Sequence, residues 1–234
     1  MKKSTLLCSA GLLSMLSSQA LSADLTIEIQ NLTQGLYFTP IAAVAHNPES
    51  SLFEVGEMAS SELQMMAEGG SLDGISTIAT AISADVLANP AGGLLAPTMK
   101  ASGSLMTAEG NTVLSVVAMI LPSNDGFIGL DNWTIPTEAG TYTIYLNAYD
   151  AGTEANDELR GGGAPGVPGM PVPPPLEPLL GNGGSGMAGA DSTAVVHIHR
   201  GNIGDDSMDS GKSDVTNTVH RWLNPVAKVT VTVN

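Results

Sequence analysis

Cysteine is nearly absent from this chain. The 234 residues contain one, Cys8, which lies near the start of the sequence. A protein without cysteine cannot be held together by disulfides, so its stability must come from its core and its hydrogen bonds. The single cysteine belongs to a segment that we expect to be removed.

That segment, residues 1–22, has the form of a signal peptide. Lysines at positions 2 and 3 precede an apolar run over residues 6–16, and small residues then permit cleavage before Ala23. The run is too short to span a bilayer. We therefore expect a mature domain of residues 23–234 that has no membrane span and is exported, either to the periplasm or as a secreted, extracellular protein.

Basic residues are also scarce. The chain has 8 Lys and Arg against 23 Asp and Glu, and without the two leader lysines the net charge is about −17. Such a surface repels nucleic acid and anionic membranes and attracts divalent cations. Solubility alone is the other explanation that composition leaves open.

Aromatic residues are few, and recognised catalytic motifs are absent. Three Phe, four Tyr and two Trp leave most of the core to aliphatic residues and argue against a carbohydrate-stacking cleft. The sequence has no G-x-S-x-G elbow, no H-E-x-x-H pair and no phosphate-binding loop. We therefore expect a protein that is not an enzyme.

Alternating apolar residues dominate what the sequence does contain. This alternation predicts β-strands in the eight segments named at the end of this paragraph. Residues 112–121 are apolar enough to form a strand that is buried on both faces. About eight strands indicate an all-β, antiparallel β-sandwich, with short helical insertions near 59–68 and 73–87. The strand segments are 25–32, 36–46, 98–107, 112–121, 127–130, 141–149, 193–199 and 226–233.

A low-complexity stretch interrupts this pattern at residues 161–189. Ten of its 29 residues are glycine and seven are proline, so neither a helix nor a central strand can run through it. Too little chain follows for a second domain. We expect a long Pro/Gly-rich loop within one domain, partly packed and partly extended.

Acidic residues follow the strand at 141–149. Asp150 and Glu154 stand four residues apart in the turn Asp150-Ala151-Gly152-Thr153-Glu154. A strand that delivers carboxylates into a turn at the end of a sandwich is a candidate cation site, although Asp residues that cap solvated turns would give the same pattern.

Three passages, in order, resemble the spondin domain family. M-I-L-P-S-N-D-G-F-I-G-L-D (119–131) is similar to the family element P-S-P-D-W-F-V-G, and Y-D-A-G-T-E (149–154) is similar to D-A-G-T-D. H-I-H-R-G (197–201) and W-L-N-P-V-A-K-V-T-V (222–231) resemble the end of the bacterial members.

The resemblance implies a C2-like β-sandwich with Ca²⁺ at one end. Matched position by position, the family's metal-binding acids are Asp125, Asp150 and Glu154. Glu154 departs from the family, which usually has Asp there, and its carboxylate reaches one methylene further. The chemistry agrees, because Asp125 and Asp150 each follow a strand and Ca²⁺ takes six to eight oxygen ligands.

Two other interpretations of the protein's function remain open. His197 and His199 alternate on a predicted strand and, with His220, could form a Zn or Cu site of an exported metalloenzyme. The second alternative is a structural component of the cell envelope that binds a partner through the Pro/Gly-rich loop. We favour an exported, calcium-binding domain with a binding or adhesion role at the cell surface or in the matrix, towards an unidentified protein or surface ligand.

Overall fold

The computed structural model describes residues 22–187 and 193–234. Apart from Ser22, the predicted signal peptide lies outside these residues. The described chain contains twelve strands, two α-helices and one turn of 3₁₀ helix. In chain order these are β1 (Asp24–Asn31), β2 (Tyr37–Phe38), β3 (Ala42–His46), α1 (Ser61–Gly69), α2 (Asp73–Ala81), β4 (Asp85–Ala88), β5 (Lys100–Met106), β6 (Val113–Leu121), β7 (Gly126–Thr134), β8 (Gly140–Asp150), β9 (Arg160–Gly161), β10 (Met170–Pro171), the 3₁₀ turn (Glu177–Leu179), β11 (His197–Ile198) and β12 (Ala227–Val233).

Ten of these strands form one antiparallel sheet. Its order is β4-β3-β6-β7-β8-β12-β1-β5, with β2 also paired to β6 and β11 to β8. The sheet curls until its edges approach: a Cβ at Gly103 of β5 would lie 2.6 Å from the Leu87 side chain of β4. Asp85 of β4 also accepts hydrogen bonds from Ala108 and Asn111, just beyond β5. The nearly closed sheet confirms the predicted all-β, antiparallel sandwich.

Strand β6 separates two apolar layers. All nine of its residues are buried. Leu114, Val116 and Ile120 belong to the core between the two halves of the curled sheet, whereas Val117 and Met119 belong to a second core outside it. The continuous apolar run therefore marked a central strand buried on both faces, as predicted.

The second core lies beneath the two short helices. Helix α1 begins after Ser60, whose hydroxyl accepts a hydrogen bond from the Leu63 amide, and ends at Gly70 with φ +69°. Leu63 and Met66 of this helix pack in the second core. The sequence placed this helix correctly to within two residues.

The second helix is shorter than predicted. It ends at Ala81, and residues 85–88 form strand β4 instead, paired with β3. The weakly apolar segment has no strong helical period, so its backbone pairing with β3 decides its structure. The segment 36–46 likewise divides into β2 and β3 at Pro40, which cannot donate to a ladder.

The Pro/Gly-rich segment packs against the second core. Met170, Leu176 and Leu180 are buried there, and β9 and β10 form a small parallel pair. Much of the remaining described segment is exposed, so only part of it is packed, as predicted. None of the helices in the described residues is long and apolar enough to cross a membrane.

Candidate functional site

The candidate site begins at the turn between β6 and β7. The Ser123 hydroxyl donates to the Ile120 carbonyl (2.6 Å) and accepts from the Gly126 amide (3.0 Å). These two bonds close the turn and place Asp125 immediately before β7. The Asp125 side chain is completely buried.

Asp150 lies beside it, at the end of β8. Gly126 of β7 pairs directly with Asp150, and the Ala151 amide donates to the Asp125 carbonyl at 3.2 Å. Antiparallel pairing brings the start of one strand beside the end of the next. The structure therefore brings Asp125 and Asp150 together at one rim of the sheet, as the sequence predicted.

The two oxygens of Asp125 have different surroundings. Oδ2 accepts from the Thr153 amide (2.8 Å), the Thr153 hydroxyl (3.2 Å) and the Glu154 amide (3.1 Å). Oδ1 is buried without a hydrogen-bond partner among the described residues. Burial and, next, the charge of Asp150 raise the pKa of Asp125 from 3.8 to about 7, although the Thr153 and Glu154 amides oppose this.

Asp150 is equally enclosed, with 2% of its surface exposed. Oδ1 accepts from the Gly152 amide at 2.8 Å, and Oδ2 accepts from the Asn156 side chain. The His197 ring lies 3.8 Å from the same oxygen. Gly152 has φ +70°, and a Cβ there would lie 2.6 Å from the Val195 backbone, so glycine is required in this turn.

Glu154 points its carboxylate elsewhere. Oε1 accepts from the Asn124 side chain at 3.0 Å and from the Gly169 amide in the Pro/Gly-rich segment. Burial, followed by the charges of Glu68 and Asp157, raises its pKa. In the described part of the chain, no three His, Cys, Asp or Glu residues are grouped so as to hold a metal ion. The structure therefore brings two of the three predicted acids together and leaves Glu154 bonded to the Pro/Gly-rich segment.

The acidic pair still fits a divalent cation. Two buried carboxylates side by side repel each other, and a buried carboxylate oxygen without a donor is costly. A cation would relieve both penalties with the hard oxygen ligands that Ca²⁺ and Mg²⁺ prefer. The orphan Oδ1 of Asp125 is the observation that identifies this rim as the candidate site.

Glu158 has a role that the sequence did not reveal. The polar sequence around it predicts a solvated side chain, and this prediction is wrong, because only 2% of the Glu158 surface is exposed. Its carboxylate accepts from the Ile203 amide (2.6 Å), the Gly204 amide (2.8 Å) and the Ser213 hydroxyl (2.6 Å). Through these hydrogen bonds, Glu158 links the segment that follows β8 to residues 203–213. Its polar neighbours in sequence give no signal of this.

The histidines occupy three different environments. His197 contacts Asp150 and the Val195 carbonyl, while the His199 ring packs at a tilt against Trp222, with ring centroids 4.8 Å apart. Both ring nitrogens of His220 are buried without a hydrogen-bond partner among the described residues, and burial lowers its pKa to about 4. Strand β11 covers only two of the predicted residues 193–199.

The acidic loop near the C-terminus is held by its own backbone. The Asp205 carboxylate accepts from the amides of Ser207, Lys212 and Ser213. These bonds, that of Ser213 first, lower the pKa of Asp205. The Asp, Asn and Ser residues of this loop predict a solvated turn rather than a second Ca²⁺ site, and the structure shows the hydrogen bonds of an Asp-capped turn.

The fold and the rim together define an antiparallel β-sandwich with a buried carboxylate pair at one end. The sequence profile of the family described as Spondin_N matches residues 30–161, more than half of the chain. The chain therefore belongs to the Spondin_N family, and the matched region includes Asp125, Asp150 and Glu154. No curated protein matches the sequence.

Proposed function

We propose that this protein is an exported, non-enzymatic Spondin_N domain that binds Ca²⁺ and, through the surface near that ion, a protein or matrix ligand outside the cell. The observation that carries the proposal is the pair Asp125 and Asp150. Both are buried, they adjoin at one rim, and one oxygen of Asp125 has no donor among the described residues.

Calcium suits this pair better than a soft metal. Ca²⁺ takes six to eight oxygens from carboxylates, backbone carbonyls and water. The rim offers two carboxylates on adjacent strand ends, whereas Zn²⁺ and Cu²⁺ favour histidine nitrogen and cysteine sulfur. The mature sequence has no cysteine.

Glu154 remains the proposed third acid. It belongs to the same turn as Asp150, and its amide already bonds Asp125. To ligate the ion, its carboxylate would exchange its bonds to Asn124 and Gly169 for the metal. Cation binding would thereby be coupled to the Pro/Gly-rich segment.

The proposed role of the ion is structural. A bound Ca²⁺ supplies positive charge that offsets the repulsion between the two carboxylates. The protein's own amides and side chains, including Thr153 and Asn156, hold the acids in place. A fixed rim presents the loops before β7 and after β8 as a defined surface, which favours binding because less loop freedom is lost.

Export and the lack of catalysis rest on the sequence. The N-terminal segment has the form of a signal peptide, and the chain carries no recognised catalytic motif. The excess of acids gives a cation-attracting surface suited to calcium-rich surroundings.

Calorimetric titration of the metal-free protein with Ca²⁺ tests the proposal. We expect one binding event, lost in the double variant Asp125→Asn, Asp150→Asn and retained in Glu109→Gln, which removes an exposed acid. Absence of binding at millimolar Ca²⁺, or equal binding by the double variant, would refute the calcium site. Stoichiometric Zn or Cu that disappears in His199→Ala would instead support the metalloenzyme.

A further inference from the structure

A second surface feature lies near the C-terminal segment. It is a groove of about 680 Å³ lined by residues from two stretches of the chain, 200–203 and 221–223. We call it the arginine groove. Its lining residues are Arg200, Asn202, Ile203, Arg221, Trp222 and Leu223.

The two arginines have no acidic partner. In a chain with 23 acidic residues, neither Arg200 nor Arg221 forms an ion pair within residues 22–187 and 193–234, whereas Lys100 and Arg160 do. Arg200 donates one bond to the Asn156 carbonyl (3.0 Å), and Arg221 donates one to the Ile203 carbonyl (2.6 Å). Each exposed guanidinium has five N–H donors, so most remain available to a ligand.

The remaining lining is apolar and aliphatic where it is exposed. Leu223 is 84% exposed and Ile203 39%. Trp222 is buried, so its ring cannot serve as a stacking platform for a sugar. Its indole N–H is buried and has no acceptor among the residues described.

We propose that the arginine groove docks a segment of a partner protein in which a carboxylate lies beside aliphatic side chains. The planar guanidinium binds a carboxylate through two parallel hydrogen bonds. The exposed Leu223 and Ile203 would bury apolar surface against the neighbouring aliphatic residues. Two unpaired cations on a strongly acidic protein complement an anionic partner that the rest of the surface would repel.

The groove is also connected to the candidate calcium rim. Asn156 donates from its side chain to Asp150 and accepts from Arg200 at its carbonyl. One residue therefore joins the rim to the groove. The inference deepens the proposed binding role by naming the partner's chemistry, but the groove does not require an ion.

Nuclear magnetic resonance of the two indole N–H groups provides the test. The chain has two tryptophans, and Trp133 packs against Tyr142 rather than in the groove, so it is an internal reference. Trp133→Phe assigns the peaks. The probe is acetyl-Leu-Glu-Leu-Glu-Leu-amide, titrated to millimolar concentration with and without Ca²⁺. We expect a saturable shift of the Trp222 peak and none of the Trp133 peak.

Charge-neutralising variants test whether peptide binding depends on the two arginines of the groove. Arg200→Gln and Arg221→Gln should each weaken binding about tenfold, the effect of losing one charge-assisted hydrogen bond. Lys212→Gln removes an exposed cation outside the groove and should change nothing. The analogue with Gln in place of Glu should not bind.

Three results would overturn the inference. They are no shift of the Trp222 peak, an equal shift with the Gln analogue, and peptide affinity unchanged in both arginine variants. If octyl sulfate shifts the Trp222 peak and the Glu peptide does not, the groove binds a different kind of amphiphile and the proposal is wrong. Because the titration is repeated without Ca²⁺, failure of the groove is distinguishable from failure of the calcium site.

Discussion

The carbonyl of Asp125 accepts a hydrogen bond from Ala151, the residue that follows Asp150. This backbone bond holds the two buried carboxylates at the same rim. Their proximity is therefore a consequence of strand pairing and does not depend on a flexible loop. A charged pair fixed in this way is destabilising without a cation, and its removal should have measurable effects.

Asp125→Asn should stabilise the metal-free protein near neutral pH. An acid whose pKa is raised from 3.8 to about 7 on folding binds its proton more tightly in the folded state, so stability falls as pH rises through that window. The variant escapes this loss, which amounts to at most roughly 4 kcal/mol.

Thermal unfolding checks this prediction. Without metal, the melting temperature of Asp125→Asn should exceed that of the parent at about pH 8, and the difference should shrink towards pH 4. Added Ca²⁺ should raise the parent's melting temperature and leave the variant's unchanged. A variant less stable than the metal-free parent at every pH would show that the pair is not strained.

Glu154→Gln should weaken Ca²⁺ binding about tenfold, less than loss of Asp125 or Asp150, because the proposed ligand must first leave Asn124 and Gly169. Calorimetry measures the affinity, and hydrogen exchange at the Gly169 amide measures its release. We expect Ca²⁺ to speed this exchange in the parent. Unchanged affinity in the variant would restrict Glu154 to holding the Pro/Gly-rich segment.

Glu158→Gln should destabilise the protein by about 2–3 kcal/mol. The amide cannot replace both oxygens, so at least one of the donors Ile203, Gly204 and Ser213 loses its acceptor. Denaturant unfolding measures the change. Glu138→Gln makes the same charge change at an exposed site and should lie within about 0.5 kcal/mol of the parent. Equal stability of the two variants would contradict the anchoring role.

His220→Leu should protect the protein against acid. The pKa of His220 is lowered from 6.5 to about 4 by burial, so the unfolded chain binds more protons between these values and parent stability falls as pH drops through this window. The leucine variant does not titrate there. Its free energy of unfolding should improve relative to the parent by up to roughly 3 kcal/mol between pH 7 and 4. A difference independent of pH would mean that His220 ionises without penalty.

Secondary structure could be predicted from the sequence where the signal lies within a single element. The apolar run of β6, the alternation of β8 and β12, and the position of helix α1 all follow from residues within one element. Strand β4 was missed because its pairing with β3 comes from tertiary structure. The histidine strand was predicted too long because alternation over residues 193–199 does not reveal which of them find a partner strand.

By itself, the sequence determined the all-β class, the spondin resemblance and the position of Asp125 and Asp150 at strand ends, because alternation and turn residues are local signals. Only the tertiary structure decided that Glu154 bonds Gly169, that Glu158 is buried and that Arg200 and Arg221 share a groove. Their partners lie 15 to 55 residues away in sequence, or belong to another stretch of the groove. Such contacts depend on how the segments pack, and no periodicity in the chain encodes them.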